Sequence, residues 1–349
     1  MRLEARAAPR AALFAPMLAV VLTAICGGAL FVALGHTPAA VFEVFFVTPL
    51  RDWNGIAELL LKAAPLFLIG TGLAIGFRAN IWNIGAEGQL IAGAICASIL
   101  AIRFQTSTSP LLLPVMALAG VAGGAAWGAI TAWLRTQFHA NEILVSLMLS
   151  YVASLLLNYA VHGPLREAGQ NFPQSILFGD AALFPILWDG TRLNASVLVS
   201  AALAAAGWVF MLRGFAAFQM RVSGLAPAAA RFAGYEPNRS VWIALLLSGG
   251  AAGFAGVAEV AGPLGQLQPA VSPGYGFAAI IVAFLGRLRP LGVAAASLLL
   301  ALIYLGGEAA QVQLQLPAAV AGMFQGLLLF FLLGCEVFGR YRLRWGRRL

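Results

Sequence analysis

Apolar windows long enough to cross a bilayer recur from one end of this chain to the other. They fall at roughly 11–34, 57–77, 85–102, 111–134, 142–161, 194–212, 240–262, 276–287, 291–306 and 317–338. About 20 apolar residues in a helix span the hydrocarbon core. In lipid, every backbone N–H and C=O must be satisfied within the protein, which leaves helices or closed barrels. Only 10% of the 349 residues are charged and 61% are hydrophobic, against about 25% and 45–50% in soluble domains. The expected fold is therefore all-α: a polytopic transmembrane helical bundle of about ten membrane segments with broken helices.

The charges set the orientation. With the N-terminus inside and the segments alternating, sixteen of the 21 Lys and Arg residues fall on the inner side. Cytoplasmic loops collect these residues, so both termini are expected to be cytoplasmic. The same bias accounts for the net charge of +8 without a nucleic-acid partner. The basic start "MRLEARAAPR" leads into an apolar run longer than the core of a signal peptide, and an uncleaved first helix is expected. One transmembrane domain over 1–349 is expected, with a cytoplasmic loop at 214–239 and an extracytoplasmic loop at 162–193.

Much chemistry is excluded. Cys26, Cys96 and Cys335 lie in apolar stretches without metal or redox spacing. His36, His139 and His162 are far apart and form no ligand pattern. The chain has no phosphate loop, no GxGxxG in a strand–helix context, no HExxH and no GxSxG. It is not expected to be an enzyme or to hold a cofactor or metal. If ATP drives its work, another chain binds the ATP.

Glycines at four-residue spacing (72/76, 120/124/128, 249/253, 322/326) point to closely packed helices. Prolines 263, 269 and 273, with several glycines, interrupt the chain before the two short segments at 276–287 and 291–306. Such breaks are tolerated at membrane depth where the backbone is buried in protein or lines a cavity. In the first half, "IWNIGAEGQL" (81–90) is the counterpart, with a carboxylate, two carboxamides and two glycines in an otherwise apolar setting. Paired interruptions of this kind point to a translocation site in a transporter. Two readings of Asn83, Glu87 and Gln89 stand: lining or hinge of a path, or a polar network tying helices together. Glu259, Gln266 and Glu308 are further candidates for the path, bordering breaks and turns on the outer side.

The cytoplasmic loop holds a short helix candidate from Pro227 to Ala233. Pro227 suits a first helical turn and Gly234 the position just past the end. Ser223 is expected to help cap it, and Pro237 to stop further propagation. Phe232 and Tyr235 are apolar anchors, and Arg221 and Arg231 flank them. A short helix with such anchors fits a groove on a partner.

Three stretches carry a resemblance: "GLAIGFRANIWNIGAEGQL" (72–90), "ANEILVSLMLSYVASLLLNY" (140–159), and "SPGYGFAAIIVAFLGRLRPLGV" (272–293) with "GGEAAQ" (306–311) and "LPAAVAGMFQGLLLFFLL" (316–333). Together they resemble inner-membrane permease subunits of ABC importers, in the branch serving ribose, branched-chain amino acids and nucleosides, and the nucleoside or simple-sugar type above all. The resemblance implies cytoplasmic ATPase subunits that bind ATP, a second and different permease, and an extracytoplasmic solute-binding protein. It also implies that 214–239 is the ATPase-coupling loop, with Arg221, Pro227, Arg231, Phe232, Gly234 and Tyr235 as its candidate residues. Relatives usually read Gly-Glu-Asn-Pro-Glu-Ala-Ala-Arg-Tyr-Ala-Gly where residues 224–234 here read "GLAPAAARFAG". The frame is kept, but both acids and the Asn are gone, so the polar contacts with the ATPase must differ. Few charges near the breaks, and no ring of Arg, suit a neutral hydrophilic solute. The alternative is a self-sufficient secondary transporter of a small polar solute.

Overall fold

The computed structural model describes residues 2–5, 9–33, 35–167, 169, 171–317 and 319–344. Fourteen α-helices follow one another among them: α1 (Pro9–Ala33), α2 (Pro38–Phe42), α3 (Thr48–Arg51), α4 (Trp53–Arg78), α5 (Ala86–Arg103), α6 (Leu112–Phe138), α7 (Glu142–His162), α8 (Ser196–Arg213), α9 (Phe215–Leu225), α10 (Pro227–Phe232), α11 (Pro237–Glu259), α12 (Tyr275–Leu285), α13 (Pro290–Leu314) and α14 (Ala319–Arg340). Two four-residue strands, β1 (Arg2–Ala5) and β2 (Tyr341–Arg344), pair antiparallel. Seven helices among the described residues are long and apolar enough to cross a membrane: α4 to α8, α11 with the π-helical turn Val260–Leu264, and α13. Shorter apolar helices run over Met17–Ala33, Tyr275–Leu285 and Gly322–Leu332.

The contacts divide the chain into two compact units, Ala57–Leu298 and the joined ends Met1–Ile56 and Leu299–Leu349. In the larger unit, α11 is the central helix, packed against α6 and α5, and α5 packs on α7. The glycines explain the closeness. A Cβ on Gly124 would lie 2.6 Å from the Gly253 Cα, and one on Gly249 would lie 2.6 Å from the Gly124 carbonyl oxygen. Only hydrogen fits at this crossing, the small-residue packing that membrane helices use. The spacing of Gly120, Gly124 and Gly128 against Gly249 and Gly253 therefore has the meaning expected of it. Gly322 and Gly326 do not: a side chain at either would meet nothing within 4 Å.

In the smaller unit, α1 packs on α14. Phe31 stacks on Phe324 at 5.4 Å between ring centres, and Phe45 sits 5.8 Å and 5.2 Å from the same two rings. Phe45 belongs to a π-helical turn, Glu43–Val47, between α2 and α3.

Two local expectations change. The segment expected at 291–306 is the 25-residue α13: the helix runs through Gly306 and Gly307 and ends before Gln315, which turns to φ +54° two residues ahead of Pro317. Pro237 does not stop a helix; it opens α11 at its first turn, where the missing N–H costs nothing.

Candidate functional site

The chain leaves helical geometry after α4 and resumes it at α5, so residues 81–85 are a true break. Helix α7 closes one side of it. Ser146 and Ser150 are one turn apart on α7 and accept the Ile84 and Gly88 amides at 3.2 Å and 3.4 Å. The Gly88 amide belongs to the unpaired first turn of α5, where no helical carbonyl is available, and the Ile84 amide lies in the break just before it. Gly85 and Gly88 leave the room: a Cβ on either would come within 2.8 Å of the α7 backbone.

Asn83 is the centre of the knot. Its Nδ2 donates to the Gln89 Oε1 and to the Ser248 Oγ of α11, both at 2.8 Å. Its Oδ1 accepts from the Gly85 amide at 3.0 Å and from the Gln89 Nε2 at 3.2 Å. Asn83 is 2% and Gln89 1% exposed, and Asn83 finds partners for both amide hydrogens and for its oxygen within the protein. Ser248 lies eleven residues past the start of α11, about 16 Å along the helix axis, which puts the knot deep in the bundle.

Glu87 serves a different helix. Its Oε2 accepts the Gly276 amide at 2.7 Å, and Ser272 also hydrogen-bonds the carboxylate. The Ser272 Oγ accepts the Tyr275 amide at 3.0 Å. Gly274 makes the turn into α12 at φ +94°, a region that L side chains rarely adopt. α12 has 11 residues, about 16 Å of helix and roughly half a bilayer core. It is a half-helix whose N-terminus ends on a carboxylate from the same chain. At its other end Phe284 stacks on Phe77 and Trp82 at 5.2 Å and 5.7 Å, so the 81–89 segment runs alongside the whole of α12.

The other expected path residues lie elsewhere. Glu259 is buried at the last turn of α11, eleven residues beyond Ser248. Lys62, Arg192 and Glu58 are its charged neighbours, and Arg192 holds Glu58 by two bonds of 2.7 Å and 2.8 Å. Gln266 donates to Gln174 of the long loop at 3.2 Å. That loop is fastened to the interrupted segment after α11: Ser175 exchanges bonds with Leu267 through its amide and its Oγ, both at 2.9 Å, and the Phe178 and Phe184 amides reach the Gly265 and Ala261 carbonyls. Sequence reasoning missed Ser175; a lone serine in a proline-rich loop gives no signal. Glu308 is exposed on α13, in the other compact unit. The six candidates therefore do not gather in one place.

The 214–239 segment is more ordered than a loop. α9 runs through Leu225, α10 covers Pro227–Phe232, and Gly234 makes the left-handed turn at φ +75°. Ala230 is buried against the body while Phe232 is 98% exposed. Tyr235 meets Phe215 edge-on at 6.2 Å. Arg231 is exposed beside Phe232; Arg221 sits apart on α9. Ser223 caps nothing: it lies inside α9 and its buried hydroxyl has no partner.

The family description "Branched-chain amino acid transport system / permease component" matches residues 55–333. The chain is 37% identical to the glucose ABC transporter permease protein TsgB13 of Haloferax volcanii over 94% of this chain and 88% of that one. It is 27% identical to the guanosine ABC transporter permease protein NupP of Bacillus subtilis (91% and 92% covered), and 24% identical to a second guanosine permease protein of that organism, NupQ (70% and 78% covered). No solved structure matches the chain. The chain belongs to the permease-component family of ABC transport systems; it is a multi-pass transport subunit and not an enzyme.

Proposed function

We propose that this chain forms the translocation path of an ABC importer for a neutral hydrophilic solute, a nucleoside or simple sugar, in the inner (plasma) membrane of its cell. The similarity to a glucose permease along 94% of the chain carries this reading. The geometry of α12 supports the neutral solute. A half-helix N-terminus at membrane depth is where transporters meet anionic groups, and here Glu87 already fills it. The knot of Asn83, Gln89 and Ser248 then holds the break that positions α12 beside the path, with Glu259, Gln266 and Glu308 contributing to the path on the outer side.

About ten membrane segments with both termini cytoplasmic fit the seven long spans, the three shorter apolar helices and the Arg-rich inner loops. The whole chain works as a single permease domain, with 162–193 facing outward. Its partners are ATPase subunits that bind ATP, an extracytoplasmic binding protein and a second, different permease. The presence of two guanosine permease proteins in Bacillus subtilis, both similar to this chain, supports the heteromeric pair. α10 and the turn after it, with Pro227, Arg231, Phe232, Gly234 and Tyr235, form the contact for the ATPase.

The test is reconstitution of the chain with its ATPase, second permease and binding protein in proteoliposomes. Uptake of labelled glucose or guanosine is expected only with ATP present. Uptake by this chain alone along an ion gradient would instead identify a secondary transporter and overturn the reading.

A further inference from the structure

α9 carries a largely exposed apolar stripe, which Tyr235 touches only at Phe215. Phe215, Phe218 and Leu225 are exposed, and Val222 half-exposed, at positions that share one helical face. The opposite face, Ala217, Met220 and Ser223, is buried against the body, and Gly224 leaves no room for a side chain against the Ala79 backbone. The helix is therefore pinned flat with its apolar side outward. It follows the membrane span α8 after a single residue, Gly214, so the stripe begins at the membrane boundary.

Beside it is a cluster of positive charge. Arg78, at the last turn of α4, lies within electrostatic range of Arg221 and Arg289, and Arg78 and Arg221 line one small pocket with Met211 and Met220. The Arg78 Nη1 is buried without a hydrogen-bond partner. Like charges in electrostatic range of one another repel, and a phosphate beside Arg78 and Arg221 relieves that repulsion. An apolar face flanked by arginines at a membrane boundary is the pattern of a helix lying in the interface, and basic pockets at the inner ends of spans take lipid headgroups.

We propose that α9 lies in the headgroup layer of the cytoplasmic leaflet, with Phe215, Phe218 and Leu225 in the acyl boundary, and that Arg78, Arg221 and Arg289 bind the phosphate of an anionic phospholipid there. The proposal rests on the inward orientation given above. It divides the 214–239 segment by partner: lipid for α9, ATPase for α10. It also makes the composition of the inner leaflet an input to the segment that couples to the ATPase.

Two measurements on the assembled transporter test it. In vesicles containing brominated phosphatidylcholine, the added emission of a Phe218→Trp variant is expected to be quenched, and that of Phe232→Trp to be unaffected. In native mass spectrometry, phosphatidylglycerol is expected to stay bound in preference to phosphatidylcholine, and Arg221→Gln and Arg289→Gln each to cut that retention about fivefold, the equivalent of ~1 kcal/mol per arginine near a charged surface. Unquenched emission at position 218, or equal retention of the two lipids, overturns the proposal. So does quenching at 218 that is seen with the permeases alone and is absent from the assembly with its ATPase, which would make the stripe a protein contact. Neither readout needs ATP hydrolysis or solute, so each can fail while the import reading stands.

Discussion

Glu87 and Gly276 are 189 positions apart in the chain, and the carboxylate of the first accepts the amide of the second at 2.7 Å. A break in the first half is thereby tied to the start of the half-helix in the second. An anion at a helix N-terminus is favoured by the unpaired amides and their dipole. Removing it orphans the Gly276 amide at depth. Glu87→Ala is therefore expected to lower the stability of the complex by about 2–3 kcal/mol, and Glu87→Gln, which keeps an acceptor, by about 1 kcal/mol. Thermal unfolding in detergent reads the difference. If Glu87→Ala unfolds like the parent while uptake falls, Glu87 belongs to the solute path instead.

The α6–α11 crossing gives a sharper contrast. Gly124→Ala places a methyl 2.6 Å from the Gly253 Cα, with backbone on the facing side and nothing flexible to yield. Overpacking of this kind costs about 1–3 kcal/mol or more, so the variant is expected to lose most of its folded yield. Gly322→Ala meets nothing within 4 Å and gains helix propensity of about 1 kcal/mol. Fluorescence-detected gel filtration of tagged variants should show a lost main peak for the first and an unchanged one for the second. Equal profiles would refute the packing account.

These two cases show what the sequence could carry. The spans were legible because apolar length is a local property. Glycine spacing was ambiguous, since 124 and 322 sit in the same four-residue pattern and only the neighbouring helix separates them. The partners of Glu87 and Ser175 were not legible at all. Each is set by where a distant segment lands, and nothing within several residues encodes it. The sequence left Asn83, Glu87 and Gln89 open between path lining and a polar network; in the structure Asn83 and Gln89 bond each other, Glu259 lies among Lys62, Arg192 and Glu58, and Glu308 is exposed in the other unit.

Phe232 is 98% exposed at the end of a six-residue helix, so it contributes nothing to the stability of this chain. Phe232→Ala is expected to insert and unfold as the parent does, while its affinity for the ATPase falls by tenfold or more, the loss of about 1.4–2 kcal/mol typical of a central aromatic anchor. Arg231→Glu should weaken the same association. Copurification at matched expression measures both. Parent-like recovery of the ATPase by both variants would remove α10 from the interface.

Ser175 is fully buried and holds Leu267 from both sides, its amide on the carbonyl and its Oγ on the amide. Ser175→Ala removes the second bond and leaves the Leu267 N–H unpaired, a cost of about 1–3 kcal/mol for a buried donor. The cost is local, because the Phe178 and Phe184 amides still reach Gly265 and Ala261. Hydrogen exchange should therefore rise in 172–178 and 265–268 while the α5–α6–α11 core keeps its protection. Should protection fall across the core as well, the long loop is part of the global fold and not a separately opening cover.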